Sequence, residues 1–234
     1  LKVKEGTVSI QTAGSHEETQ VKTETIVKAG DIIKTSANSS AELNYPDGSS
    51  ILIQENTRIN VVESKGRKYL KTDGSEGTAV EWLDIDLKQG TILGGLATRH
   101  EGSNNEQTDT NQKSGQINKS GSRLTASLQG IGLLAEESEE EMPWYAASEE
   151  KKVKIQVDMP WGVAAIRGTF VLVSVNPQTG ACSVSCLTGN ADVRATNGNN
   201  VSLDAGKRSE ILQGMASQAT QMSEQDKKAF EAVQ

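Results

Sequence analysis

Polar and apolar residues alternate with a period of two along several short stretches of the chain. Residues 7–10 and 20–27 both show this alternation, which is typical of strands that bury one face. The most apolar stretch, 163–175, predicts the centre of the core. Further strands are predicted at 58–63, 80–87 with a bulge where the phase changes, 91–96, 153–157, 181–187, 191–195 and 201–203.

Glycine, proline and asparagine separate these stretches and predict how the strands are joined. The Asn-Gly pair at 197–198 is a strong signal for a tight hairpin turn, because both residues tolerate a positive φ. Other turns are predicted at 46–48 within a hairpin at 41–54, at 88–90, and at 176–180. Aromatic residues make up only 3% of the chain, which favours many short strands over packed long helices.

Two regions depart from the strand pattern. Residues 101–122 are dense in Ser, Asn, Gln, Gly and Thr. They have few apolar side chains whose burial could offset the conformational entropy lost on ordering. We predict an irregular insertion at about 101–150, with a short helix within 123–141. Ser223 followed by Asp226 resembles a capping box and predicts a short C-terminal helix at about 223–233.

The pattern as a whole predicts an all-β fold. We expect 1–234 to form a single domain of two related, short-stranded halves, interrupted by the insertion and closed by the helix. A β-sandwich and a β-helix-like arrangement have the same periodicity, so both stay open.

Charge and hydropathy narrow the function classes. The net charge of -7 disfavours electrostatic capture of a phosphate backbone, so nucleic acid is not an expected partner. The chain has no apolar run near the ~20 residues that span a bilayer. Because it begins at Leu1, we expect that a signal peptide or a membrane anchor precedes it.

Cys182 and Cys186 are the chain's two cysteines, and both fall in a predicted strand. Four residues of extended strand span ~13 Å, whereas the Cα atoms of a disulfide lie within ~7 Å of each other, so these thiols should not bridge. We predict that both act as small core residues, since no histidine lies nearby to complete a metal site. No metal and no cofactor are expected.

Several groups of residues resemble the FecR domain family. Its first half is matched by 30–35 (Gly-Asp-Ile-Ile-Lys-Thr), 41–43, 47–49 and 51–53, and its middle glycine by Gly90-Thr91-Ile92. The second half is matched by Pro160, Ile166-Arg167-Gly168-Thr169-Phe170, Gly189 and Leu203-Asp204-Ala205-Gly206. The chain differs at Trp161, where a smaller or polar residue is usual, and in the 101–148 region, which the compact family domain lacks.

The resemblance implies an extracytoplasmic sensor or scaffold, periplasmic or at the cell surface. Domains of this family belong to membrane-anchored regulators and pass an outside signal to a transmembrane helix and, in some members, to an anti-sigma segment. It also implies an envelope or membrane protein as partner. No such helix or anti-sigma segment is visible in this chain, and the oligomeric state stays open.

Arg167, Gly168 and Thr169 form the most specific element of the resemblance. Arg167 lies between apolar residues of a predicted core strand, where a guanidinium is costly unless its donors are satisfied. A structural brace paired with a carboxylate is favoured over binding of an anionic ligand.

The aromatic residues Trp144, Tyr145 and Trp161 flank the predicted insertion and form a candidate binding surface. Packing of the insertion onto the β-core is the favoured explanation for these rings. A carbohydrate-binding or adhesive module is the alternative function, and it requires the three rings to be exposed together in a groove.

We predict no enzymatic activity. His16 and His100 lie far apart in polar segments without a nucleophile motif. A hydrolase would need two carboxylates converging in a cleft, and no pair is spaced to force that. The acidic run at 136–141 lacks the alternating ligands of a calcium loop and fits a solvated face.

Overall fold

A computed structural model describes residues 1–46, 48–70, 75–95, 155–167 and 170–231. These residues form seventeen strands and one helix, which confirms the all-β class and the short C-terminal helix. The predicted insertion at 101–150 lies outside the described residues, and so do the helix predicted within 123–141 and the acidic run at 136–141.

The strands lie in two sheets, here called the front and back sheets. The front sheet has the order β3-β2-β4-β7-β8-β9-β10-β13-β14, in which β8 and β9 are parallel and the other neighbours antiparallel. Its strands are β2 (Val8–Gln11), β3 (Glu18–Val21), β4 (Ile32–Thr35), β7 (Arg58–Leu70), β8 (Glu76–Gly95), β9 (Ile155–Met159), β10 (Gly162–Ile166), β13 (Asn190–Ala195) and β14 (Asn200–Asp204).

The back sheet has the antiparallel order β1-β5-β6-β8-β11-β12-β15, and two short strands, β16 and β17, both pair with β15. Its further strands are β1 (Lys2–Glu5), β5 (Ser40–Asn44), β6 (Ser50–Ile53), β11 (Phe170–Val175), β12 (Cys182–Thr188), β15 (Lys207–Leu212), β16 (Met215–Ala216) and β17 (Thr220–Gln221).

The two sheets pack face to face around one apolar core. Ile33, Ile85 and Val193 from the front sheet and Ile53 and Val173 from the back sheet belong to the same buried cluster. Successive strand pairs alternate between the sheets along the chain. The arrangement is therefore a two-layer sandwich in which β8–β9 is the one parallel pair among the described strands. Periodicity could not separate a sandwich from a β-helix, because both bury alternate residues.

Strand β8 belongs to both sheets. Its first part, up to Gln89, pairs with β7 in the front sheet, and Gly90–Gly95 pairs with β6 and β11 in the back sheet. The predicted turn at 88–90 is therefore wrong. Gly90 has φ +89 and bends a continuous strand from one layer into the other.

The most apolar stretch is divided between the sheets. β10 lies in the front sheet and β11 in the back sheet, so 163–175 contributes to both walls of the core rather than to one central strand. Residues 65–70 and 76–80 extend the β7–β8 hairpin as far as the pair Leu70–Glu76. The ladder shift opposite Lys65 and Gly66 leaves Glu81 as the extra residue, which confirms the bulge in 80–87.

Helix α1 (Glu224–Glu231) covers part of the outer face of the back sheet. Phe230 packs with Leu93, Leu172 and Met222 in a second small apolar cluster. Ser223 and Asp226 form the predicted capping box, and Ser185 donates a hydrogen bond of 3.0 Å to the same carboxylate. The cap therefore both starts the helix and fastens it to β12.

Cys182 and Cys186 are both free and buried on the core side of β12. Burial raises the pKa of each thiol, to about 11 for Cys186. Neither thiol is therefore ionised near neutral pH, which agrees with the predicted role as core residues.

Candidate functional site

Arg167 lies directly after β10, not inside a central strand. Its backbone N–H donates to the carbonyl of Asn190 at 2.9 Å, and its guanidinium forms an ion pair with Asp192 on β13. Both side chains are largely buried, at 13% and 16% exposure. The sequence placed Arg167 in an inner strand because it could not show that the chain leaves the front sheet at this residue.

The carboxylate of Asp192 joins three elements of the front sheet. Its second oxygen accepts a hydrogen bond of 2.6 Å from the hydroxyl of Ser202 on β14. A charge-assisted bond to a partly buried guanidinium is stronger than a neutral one, so the network braces β14 and β13 against the exit of β10. Gly168 and Thr169, the other two residues of the motif, lie outside the described residues.

A row of carboxylates lies on the outer face of the same sheet. Asp84 and Asp86 alternate with core residues along β8, and Asp158 on the neighbouring β9 stands opposite Asp86. Asp86 forms an ion pair of 2.7 Å with Lys88. This row could not be recognised from the sequence, because the parallel pairing of β8 with β9 brings together residues more than seventy positions apart.

Burial and neighbouring negative charge act together on these carboxyls. Burial, followed by the charges of Asp158, Glu63 and Asp86, raises the pKa of Asp84 to about 6. Burial also raises the pKa of Asp158, with Asp86 adding to the effect. The negative charges of the row therefore repel one another in the folded protein.

We expect Asp84→Asn to stabilise the protein at neutral pH. The folded-state pKa is raised above the ordinary 3.8, so the contribution of Asp84 to stability is fully present below about pH 4 and is lost as the pH rises through about 6. Because the site is partly solvated, the gain at pH 7.5 should be about 1 kcal/mol. Urea unfolding between pH 4 and 8 measures it.

Glu17→Gln is the control, since it removes the same charge from an exposed loop position. It should leave the difference in unfolding free energy between pH 4 and pH 7.5 unchanged. A wild-type-like pH dependence in Asp84→Asn would show that the burial of Asp84 and the neighbouring negative charges do not affect stability.

Four turns meet at one end of the sandwich, here called the hairpin end. They join β9 to β10, β11 to β12, β13 to β14 and β15 to β16. The N–H of Thr196 donates to the carbonyl of Trp161 at 3.0 Å, and the N–H of Asn197 donates to the carbonyl of Gly214 at 3.1 Å. These bonds tie three of the turns together.

The hairpin end exposes large apolar side chains. Trp161 is 36% exposed, Leu212 54% and Met215 63%. Leu212 and Met215 face each other across the β15–β16 pair. Exposed apolar groups held on mutually bonded turns are typical of contact surfaces.

Trp161 is held from one side by the β11–β12 turn. Its indole nitrogen lies so close to Gly180 that a Cβ at that position would come within 2.8 Å of it. Trp144 and Tyr145 lie outside the described residues. The joint exposure of three rings that the glycan-binding alternative requires is therefore not tested.

Within the described ranges, no group of three or more His, Cys, Asp or Glu side chains could hold a metal ion. No helix in that part of the chain has the length and apolarity needed to cross a membrane.

Comparison with known proteins gives structural neighbours only. No family model matches the chain, and no curated protein matches it. Two crystal structures of a putative anti-sigma factor from Parabacteroides distasonis ATCC 8503, at 2.50 and 1.65 Å, are similar with a TM-score of 0.47 and 11% identity. The matches cover 86% of this chain and 63% and 64% of those chains, so this chain spans somewhat less than two thirds of their length.

Proposed function

We propose that this protein is a non-catalytic extracytoplasmic sensor or scaffold domain that contacts an envelope or membrane protein through its hairpin end. The observation that carries the proposal is the exposure of Trp161, Leu212 and Met215 on turns that are bonded to one another. Because backbone hydrogen bonds already fix these turns, little backbone entropy is lost when a partner covers the side chains.

The described residues of the FecR-like motifs support a scaffold role. Asp31 is 2% exposed, and its carboxylate accepts from the backbone N–H groups of Ala13 and Lys28 at 3.0 and 2.8 Å. Arg167 is paired with Asp192, and Gly90 forms the crossing between the sheets. Each of these motif residues holds the fold together, which leaves recognition to the surface.

The regulatory role and the extracytoplasmic location rest on the resemblance to FecR domains at 30–35, 166–170 and 203–206. The enclosed core and the bonded turns suit a rigid module that transmits the position of a bound partner. Fractionation of the host, followed by protease accessibility of the chain in intact cells, tests the location.

Photo-crosslinking in the host tests the contact surface. A photoreactive amino acid at Met215 should give a discrete crosslinked band with an envelope protein. We expect Trp161→Ala combined with Leu212→Ser to reduce that band severalfold, because the double change removes the other two exposed large apolar side chains of the hairpin end. Mass spectrometry of the band identifies the partner.

Ala205 provides the matched control position. It is exposed in the turn between β14 and β15, at the opposite end of the sandwich. A crosslinker there should give no such band. Equal crosslinking from both positions, or none from Met215, would contradict the proposed surface.

A further inference from the structure

Strand β14 ends the front sheet with one side open. Within the described chain it pairs with β13 and with no other strand. Both edge strands of the back sheet are covered. Residues 23–25 form backbone hydrogen bonds with the segment that contains β1, and β16 and β17 both pair with β15. An uncovered edge presents backbone N–H and C=O groups to another strand.

The ladder fixes which groups of β14 face outwards. The bond from Ala195 N–H to the carbonyl of Asn199 and the pairing of Val201 with Val193 direct the backbone groups of Val201 and Leu203 towards β13. By the alternation of an antiparallel ladder, the groups of Asn200, Ser202 and Asp204 point away from it. These three residues are also exposed, whereas Val201 and Leu203 are buried.

We propose that β14 pairs with β14 of a second copy of this chain, antiparallel and with the two-fold axis at Ser202. This register is self-complementary, because it places Asn200 opposite Asp204 of the second copy twice and Ser202 opposite Ser202 once. All these pairs are of the hydrogen-bonded kind, since they are the residues whose backbone groups face outwards. The two front sheets become one continuous sheet.

The side chains favour this partner over an unrelated strand. The amide of Asn190 already donates to the carboxylate of Asp204 at 2.9 Å across the β13–β14 pair, so an Asn–Asp pair fits this sheet. A carboxylate accepts several hydrogen bonds, and Asn200 of the second copy supplies a further one from the open side. No like charges oppose each other in the register.

This pairing does not depend on the proposed function, since β14 lies along the side of the sandwich and not at the hairpin end. Sedimentation velocity across a range of protein concentrations should show wild-type chain at twice the monomer mass. Asn200→Asp places two carboxylates opposite each other at both ends of the register, and we expect it to raise the dimer dissociation constant by about tenfold or more. The cross-strand neighbour of Asn200 within its own chain is Arg194, so the monomer fold is retained.

The double variant Asn200→Asp with Asp204→Asn exchanges the two groups and should restore dimerisation, because each pair again joins a carboxylate to an amide. Circular dichroism checks that all three proteins are folded. Wild-type protein that stays monomeric at every concentration would overturn the pairing. A dimer unaffected by Asn200→Asp, or not restored by the exchange, would also overturn it.

Discussion

Gly90→Ala should destabilise the protein strongly. Gly90 has φ +89, and a Cβ built there would lie 2.2 Å from Oγ1 of Thr57 and 2.4 Å from its Cα. Backbone strain and overlap together should cost more than about 3 kcal/mol, a large fraction of the stability of a typical domain. Urea unfolding followed by circular dichroism measures the loss.

Thr57 cannot move aside to accept the methyl group. Its hydroxyl accepts the N–H of Thr91 at 2.9 Å, and its own N–H donates to the hydroxyl of Thr35 at 3.0 Å. Thr57 is 1% exposed, so displacing it would leave buried polar groups without partners.

Gly198→Ala is the matched control for this change. Gly198 has φ +91, but a Cβ there meets nothing within 4 Å. It should therefore cost only about 1 kcal/mol, the penalty for the backbone conformation alone. Equal losses in the two variants would show that the close approach of Gly90 to Thr57 contributes nothing.

Asp192→Ala is expected to have the second largest effect. The substitution removes the carboxylate that pairs with Arg167 and accepts from Ser202. Breaking a buried ion pair by deleting one partner leaves an uncompensated charge, and allowing for the partial exposure of both side chains, we expect a loss of about 2–3 kcal/mol. Thermal and urea unfolding both report it.

Asp204→Ala controls for the loss of an aspartate from the same strand pair. Asp204 is exposed and accepts from the amide of Asn190, so its removal should cost less than about 1 kcal/mol. If Asp204→Ala destabilises the monomer as much as Asp192→Ala, the ion pair of Asp192 with Arg167 contributes no more to stability than an exposed hydrogen bond.

Much of the second half of the fold could be predicted from the sequence. The hairpins at 176–180 and 197–198 are observed between β11 and β12 and between β13 and β14, because a tight turn flanked by alternating residues is a local property. The capping box of α1 is local in the same sense. At Gly90 the same local reasoning predicted a turn and was wrong, since a bend between sheets and a turn both use a glycine with positive φ.

The sites depended on pairings that no local pattern specifies. The sequence indicated that a buried Arg167 needs a carboxylate partner, but it could not show which one. Asp192 is the partner because the pairing of β10 with β13 places it beside Arg167. The carboxylate row arises from the parallel contact of β8 with β9, and the hairpin end from four turns separated along the chain.

The sequence by itself determined the all-β class, the hairpin turns at 176–180 and 197–198, the buried thiols and the start of the C-terminal helix. Each follows from the period of side-chain burial or from the φ and hydrogen-bonding preferences of a few adjacent residues. The tertiary structure alone decided which strands share a sheet, where β8 crosses, which charges meet and which strands lie at the edges of the sheets. Those properties are set by contacts between distant residues, and a period of two is the same in every strand whatever its neighbour.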